Sequence, residues 1–286
     1  MDDPRRVLAR YQLQAKKSWG QNFLCDRRVH ERIVAAAAAT AEDVVVEIGA
    51  GLGTLTLALA GAQPPPRRVL AIERDPDMLR VLRGELGGAA IVDIVEQDAA
   101  LFDYAAVSRQ VGRPLVVVGN LPYQLSSAVL LAVARAGAAV SRAVVMVQRE
   151  FAQRVVAPPG NKIYGRLSVM VQQRAAARIL FHVGPGAFHP PPKVTSSVMA
   201  LSPRPGLLAP VRDYALFEQV VKEAFGTRRK MLRRALAPAF GAAVAEQALA
   251  QAGIDGTLRA EALGVAELAR LADSMLVALE AAPPAS

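Results

Sequence analysis

VVVEIGAGLGTLT, residues 44–56, decides the fold. The apolar run VVVEIG (44–49) is short, rich in β-branched residues and stopped by glycine, which predicts a buried strand. Gly49, Gly51 and Gly53 then allow a tight turn with positive φ, and a helix begins near Thr54. The same alternation continues outward. RVLAIERD (68–75), AIVDIVEQD (90–98), PLVVVGN (114–120) and RAVVMVQ (142–148) read as further buried strands, with helices over 53–62, 76–87 and 126–137 between them. Strand alternating with helix implies a parallel sheet covered on both faces. The expected fold class is therefore α/β, a doubly wound, mostly parallel sheet.

Beyond that sheet, a helix is expected over 165–175 and two more strands over 177–183 and 196–202, flanking the irregular loop GPGAFHPPPKVT. PRPGLLAP (203–210) reads as a linker, and the pattern is helical afterwards: 213–225, 228–237, 241–252 and 258–280. Two domains are expected, 1–202 with an N-terminal arm over 1–24, and a small all-helical one over 203–286.

Composition narrows the class of function. A net charge of +9 and a pI near 10.2 predict a polyanionic partner, nucleic acid or an acidic membrane face. The apolar segment 129–147 is broken by Arg135 and Arg142 and reads as a helix followed by a strand, so no membrane span is expected. The start MDDPRRVLAR lacks an apolar signal core, and the cytoplasm is the expected location. One cysteine, Cys25, permits no intrachain disulfide, and the scattered His30, His182 and His189 give no ligand spacing for a metal.

Four places carry the chemistry. Glycines at 49, 51 and 53 follow an acidic residue, and Thr54 stands where a dinucleotide loop wants its third glycine. The G-x-G-x-G form suits S-adenosylmethionine. Glu73 ends the next strand, where a carboxylate accepts ribose hydroxyls of either kind of nucleoside ligand. Asp98 ends the third strand, placed to accept an adenine amine. Asn120-Leu121-Pro122-Tyr123 follows the fourth strand. The exocyclic amine of adenine is a weak nucleophile, because its lone pair is delocalised into the ring. The Asn120 side-chain carbonyl and the Leu121 main-chain carbonyl can accept its two N–H bonds and pull the nitrogen toward a pyramid. Pro122 stiffens the turn, and Tyr123 offers a stacking face worth about 1–3 kcal/mol for one base. Phe188, in its Pro-rich loop, could supply the opposite face or anchor the loop in the core. In TRRKMLRR (227–234), Arg228, Arg229, Lys230, Arg233 and Arg234 would line one side of a helix as a phosphate-binding stripe, which Arg5, Arg6, Arg10, Lys16 and Lys17 extend.

Together with KKSWGQNFL (16–24), QDA (97–99), VQREFAQRV (147–155), YGRLSV (164–169), PPPKVTSSV (190–198) and AFGTRRKML (224–232), these blocks resemble the ribosomal RNA adenine N6,N6-dimethyltransferase family that acts on the small subunit. The resemblance implies a class I, Rossmann-like methyltransferase domain and a C-terminal RNA-binding domain. It implies S-adenosylmethionine as cofactor, S-adenosylhomocysteine as product, and no required metal. It places Asn22, Leu24, Gly49, Glu73, Asp98 and Asn120 around the cofactor, and Tyr123 and Phe188 around the target base. It implies two adjacent adenosines near the 3′ end of small-subunit ribosomal RNA, each dimethylated, in a pre-assembled subunit, by a monomer. Trp19 stands where Leu or Phe is expected and Thr227 where Gln often stands. The indole can pack over the cofactor, meet RNA or anchor the arm. The rival readings are a large-subunit adenine methyltransferase of the antibiotic-resistance type, against which Leu121 and GQNFL count, and a non-catalytic assembly or RNA-binding factor. A DNA adenine methyltransferase would more often carry Pro at 121, and Thr54 and NLPY count against an NAD oxidoreductase.

Overall fold

A computed structural model describes residues 2–16, 19–122, 124–227 and 229–282. In chain order the elements are α1 (Pro4–Arg10), β1 (Phe23–Leu24), α2 (Arg27–Ala37), β2 (Val44–Ile48), α3 (Thr54–Ala60), β3 (Arg68–Glu73), α4 (Pro76–Leu86) and β4 (Val92–Glu96). There follow α5 (Tyr104–Val111), β5 (Leu115–Asn120), α6 (Ser126–Arg135), β6 (Val140–Gln148), α7 (Arg149–Val156), α8 (Arg166–Gln172), β7 (Ala175–Val183), β8 (Phe188–His189) and β9 (Ser196–Pro203). The chain continues through α9 (Tyr214–Gly226), α10 (Leu232–Phe240), α11 (Ala242–Gln251) and α12 (Val265–Ala281).

Seven strands form one sheet in the order β4-β3-β2-β5-β6-β9-β7. β2 pairs in parallel with β3 and with β5, β3 with β4 and β5 with β6, whereas β9 is antiparallel to β6. This is the doubly wound sheet that the alternation predicts. β2 and β5 are almost wholly buried, as their uninterrupted valine runs require. The strand order reverses between β2 and β5, which opens a crevice at their carboxyl ends. In register, Ile48 lies between Ile72 of β3 and Gly119 of β5, so Glu73 and Asn120 end up one residue further on either side. Gly119 is obligatory there: a Cβ would meet the Ile48 carbonyl oxygen at 2.7 Å.

Helix starts follow local rules. Asp26 accepts the Arg28 and Val29 amides at the head of α2, and Asp75 accepts the Asp77 amide ahead of Pro76 in α4. The apolar face of α2 packs Val29, Ile33 and Ala37 against Val45, Val116 and Val144 of the sheet. Glu47 and His30 are among the buried polar groups beside this core. Glu47 in β2 is 2% exposed, and burial pushes its carboxyl up to about 8, aided by the charge of Glu73. Thr56 is near enough to favour the anion, yet its hydroxyl and Glu47 Oε2 close no hydrogen bond of acceptable geometry among the described residues. His30 of α2 is pushed down to about 4 by burial and meets Thr54 Oγ1 through Nε2 at 3.2 Å.

Contacts group Met1–Ala152 with Ala176–Pro203 in one compact unit, and Gln153–Ala175 with Arg204–Ser286 in a second. The sequence pattern places the boundary at 202/203 alone. Residues 153–175 lie with the helical unit because Gln173, fully buried, donates from Nε2 to the Ala209 carbonyl at 2.6 Å and accepts the Ala209 amide at 3.0 Å. Arg174 Nε donates to Tyr214 Oη at 2.9 Å. The expected linker 203–210 is thus partly tied down. A second difference concerns α10, which starts at Leu232 rather than 228. Lys230 N bonds Thr227 O in a turn, so Arg229 and Lys230 precede the helix and only Arg233 and Arg234 lie on it. Arg228 lies outside the described residues, as does Lys17.

Two outcomes test this packing. Gly119→Ala should lower unfolding free energy by about 1–3 kcal/mol, read in urea, because a backbone oxygen cannot move aside as a side chain can. For Glu47, the unfolded chain releases its proton near 4.5 and the folded chain near 8, so stability falls as pH rises between those values. His30 works in the opposite sense, losing stability as pH falls from 6.5 toward 4, so only Glu47 contributes from this pair above pH 6.5. From pH 6.5 to 8 the melting midpoint should drop by about 2–4 °C more in wild type than in Glu47→Gln, the shift that about 1 kcal/mol makes in a domain of this size.

Candidate active site

The crevice is built from the carboxyl ends of β2, β3, β4 and β5, with the N-terminal arm beside it. Gly49, Gly51 and Gly53 all have positive φ, at 67°, 55° and 77°, as the turn demands. The Gly49 and Ala50 amides donate to the Ile72 carbonyl, which holds the loop onto β3. A Cβ on Gly51 would stand 3.3 Å from the Phe23 ring, and one on Gly49 would stand 3.7 Å from Pro122. The glycine loop therefore lies between the arm and the NLPY turn.

Glu73 lines the crevice and is held from three sides. Its Oε2 accepts the Gly51 amide at 2.9 Å, and its Oε1 accepts the amides of Arg74 and Asp75 at 2.8 and 2.9 Å. Of about four acceptor positions on a carboxylate, three are used by backbone. Asp98 behaves differently from the expectation. Its Oδ1 accepts the Ala100 amide at 2.9 Å and its Oδ2 accepts from Arg74 Nη1 at 2.6 Å. Its neighbours Gln97 and Ala99 line the crevice, and Asp98 itself does not.

At the other end, the Asn120 amide has its orientation set by the arm. Nδ2 donates to the Asn22 carbonyl at 3.1 Å, which leaves Oδ1 as the acceptor end of the group. The Leu121 amide continues the β5–β6 ladder by donating to Met146 O at 3.0 Å. The Pro122 carbonyl accepts the Leu125 amide at 3.0 Å and the Ser126 hydroxyl at 3.1 Å, so the turn is locked into the start of α6. Asn120, Leu121 and Pro122 all line the crevice; Tyr123 lies outside the described residues.

The arm is itself fastened by Asp75, which is fully buried. Lys16 Nζ donates to Asp75 Oδ1 at 2.7 Å, Gln21 Nε2 to Asp75 Oδ2 at 2.8 Å, and the Lys16 amide to Gln21 Oε1 at 2.9 Å. Asn22 and Leu24 consequently line the crevice. Leu24 pairs with Phe188 in the two-stranded antiparallel ribbon β1–β8. Phe188 is 3% exposed and packs in the core with Leu24, Val29 and Ile33, and it does not line the crevice. Of the two readings of Phe188, the described geometry is that of a loop anchor. His30, Arg74 and Gln97 also line the crevice without being singled out by the sequence. Gln97 and Arg74 adjoin motif residues, which is the signal that would have found them, whereas His30 comes from the fold of α2.

Comparison with known proteins bears on the family and the fold. The family model described as "Ribosomal RNA adenine dimethylase" matches residues 12–276. A "Ribosomal RNA small subunit methyltransferase A" from Anaeromyxobacter dehalogenans is 48% identical over 278 residues, covering 94% of this chain and 96% of that relative. A protein of the same name from Pseudomonas fluorescens is 39% identical over 265 residues, covering 93% and 95%. Among solved structures, the 23S rRNA methyltransferase ErmE superposes with a TM-score of 0.64 at 27% identity, over 89% of this chain and 99% of that one. A dimethyladenosine transferase from Plasmodium falciparum shares the fold, with a TM-score of 0.68 at 22% identity over 87% and 95%. The methyltransferase fold, the crevice at its switch point and a family match spanning nearly the whole chain lead to one conclusion: this chain belongs to the ribosomal RNA adenine dimethylase family.

Proposed function

We propose that this chain dimethylates the N6 amine of two adjacent adenosines near the 3′ end of small-subunit ribosomal RNA, with S-adenosylmethionine as methyl donor. The observation that carries the reading is the Asn120 amide, turned by Asn22 so that its oxygen is the acceptor end of a group lining the same crevice as Glu73. The crevice fits the cofactor by the chemistry of its donors and acceptors. Glu73 keeps one acceptor position for a ribose diol, whose second hydroxyl would share or displace the Gly51 amide. Gly49 and Gly51 remove the side chains that would block close approach. Gly49, Gly51, Glu73, Asn22 and Leu24 would hold the cofactor, and Asp98, already bonded to the Ala100 amide and Arg74, would join them through a remaining acceptor position. When bound, S-adenosylmethionine supplies a methyl group already activated on a sulfonium.

The protein's own part is positioning. Asn120 Oδ1 and the Leu121 carbonyl accept the two N–H bonds of the target amine, which localises its lone pair toward the methyl carbon. Pro122 and the bonds to Leu125 and Ser126 keep those acceptors from moving with the substrate. Tyr123 is assigned the stacking face from its place in the sequence. After transfer, the acidic ammonium sheds its proton to solvent, and no dedicated base is needed. RNA binding is assigned to Arg228, Arg229, Lys230, Arg233 and Arg234, of which the four described are exposed. The substrate is taken to be a pre-assembled small subunit, and the enzyme a cytoplasmic monomer.

A tritiated-methyl assay on small-subunit particles, large-subunit RNA and DNA, followed by nucleoside analysis, should give N6,N6-dimethyladenosine from the first alone. Labelling of large-subunit RNA instead would favour the resistance-type activity. In that assay Asn120→Ala should lose at least about a hundredfold in turnover, the scale of removing one preorganised polar group from the transition state, with RNA affinity retained. Unchanged turnover would remove Asn120 from the chemistry. Combined Arg229→Ala, Lys230→Ala and Arg234→Ala should flatten the dependence of log affinity on log salt by about 0.7–0.9 for each phosphate no longer neutralised. An unaltered slope would leave these residues as a solvated surface.

A further inference from the structure

Trp19 is the sole tryptophan of the chain, and it stands at one particular end of the crevice. Glu73 at the tip of β3 is the ribose acceptor, and Asn120 at the tip of β5 marks the methyl-acceptor end. The sheet order β4-β3-β2-β5 then puts the base of a bound nucleoside on the β4 side of Glu73. The residues lining that side are Arg74, Gln97 and Ala99. Trp19 joins them: the Arg74 guanidinium carbon lies 5.1 Å from the centre of its ring, and Lys16 Nζ lies 5.3 Å from it.

Both cations are fixed by partners other than the indole. Lys16 bridges Asp75 and Asp77 at 2.7 Å each, and Arg74 is held by Asp98 at 2.6 Å. Neither needs Trp19 to stay in place. The arm that carries Trp19 is held to Asp75, two residues after Glu73, by Lys16 and Gln21. A half-buried aromatic face and an exposed planar guanidinium are thus presented together beside the ribose acceptor. A π-face polarised by two nearby cations suits a flat, electron-rich heterocycle.

The geometry points to Trp19 and Arg74 as a clasp for the purine of the cofactor, a binding pair that sets affinity at the nucleoside end. This rests on the cofactor reading given above. Arg74 also links the clasp to Asp98, whose Oδ2 accepts from its Nη1 and holds the guanidinium beside the indole.

The test uses the full-length protein with two probes, S-adenosylhomocysteine and 5′-methylthioadenosine, the second lacking the amino-acid part. Titration of wild type with either should give a saturable change in tryptophan emission, with the midpoint that calorimetry gives. Trp19→Ala and Arg74→Ala should each weaken both probes by about three- to tenfold, the range of cation–π and stacking interactions at partly exposed sites. Trp19→Phe should recover most of the loss. Should Trp19→Ala fail to fold, Trp19→Phe and Arg74→Ala still decide the matter, since Arg74→Ala alone must show the loss. Wild-type affinity for both probes in Trp19→Ala and Arg74→Ala overturns the clasp, including the case where RNA binding falls and Trp19 is reassigned to RNA. If wild type binds neither probe, the cofactor reading fails first and the clasp goes with it.

Discussion

A single hydrogen bond, from Asn120 Nδ2 to the carbonyl of Asn22, fixes which end of the side-chain amide at the tip of β5 is left as acceptor. A side-chain amide is ambiguous until something fixes which end is donor. Here a backbone carbonyl, which can only accept, takes the amino end and leaves the oxygen for another partner. That carbonyl belongs to the arm, so the polarity of the site depends on residues about a hundred positions away. The arm in turn depends on Asp75, a buried carboxylate that caps α4 and receives both Lys16 and Gln21. Capping, arm docking and site polarity are therefore one connected structure.

Beneath this layer the core carries polar groups that a purely structural sheet would avoid. Glu47 and His30 are buried against the glycine loop, and burial drives each toward its neutral form. Both line the same crevice as Glu73. The charge of Glu73 reinforces the protonated state of Glu47, so the two carboxyl groups take different roles from their surroundings.

The sheet was legible because its signals are local. β-Branched runs ended by glycine or by Asp and Asn located β2 to β6 within a few residues. Glu73, Asn120 and the glycines follow directly, since the ends of parallel strands share one edge. The arm was different: Asn22 and Leu24 emerge only from the resemblance, because their pairing with Asn120 and Phe188 is long-range. Phe188 shows the limit most clearly. A Pro-rich loop says nothing about which way its aromatic turns, and the answer is supplied by Leu24 across the ribbon. The start of α10 was likewise hidden. Its first amides, from Leu232 and Arg233, are satisfied by the carbonyls of Leu258 and Gly256, which no local pattern around TRRK announces.

The grouping of residues 153–175 with the C-terminal helices has a bearing on how this protein can be taken apart. The backbone leaves the sheet unit after Ala152, returns at Ala176 and leaves again after Pro203, so the helical unit is assembled from two separate pieces of chain. It is not a tail that can be trimmed away. Severing the polypeptide at 203 would strand Gln173, stripping both ends of its buried amide of their Ala209 partners. Modular exchange among relatives would have to swap an internal insert together with the carboxyl-terminal third, which ties the inheritance of the two units together.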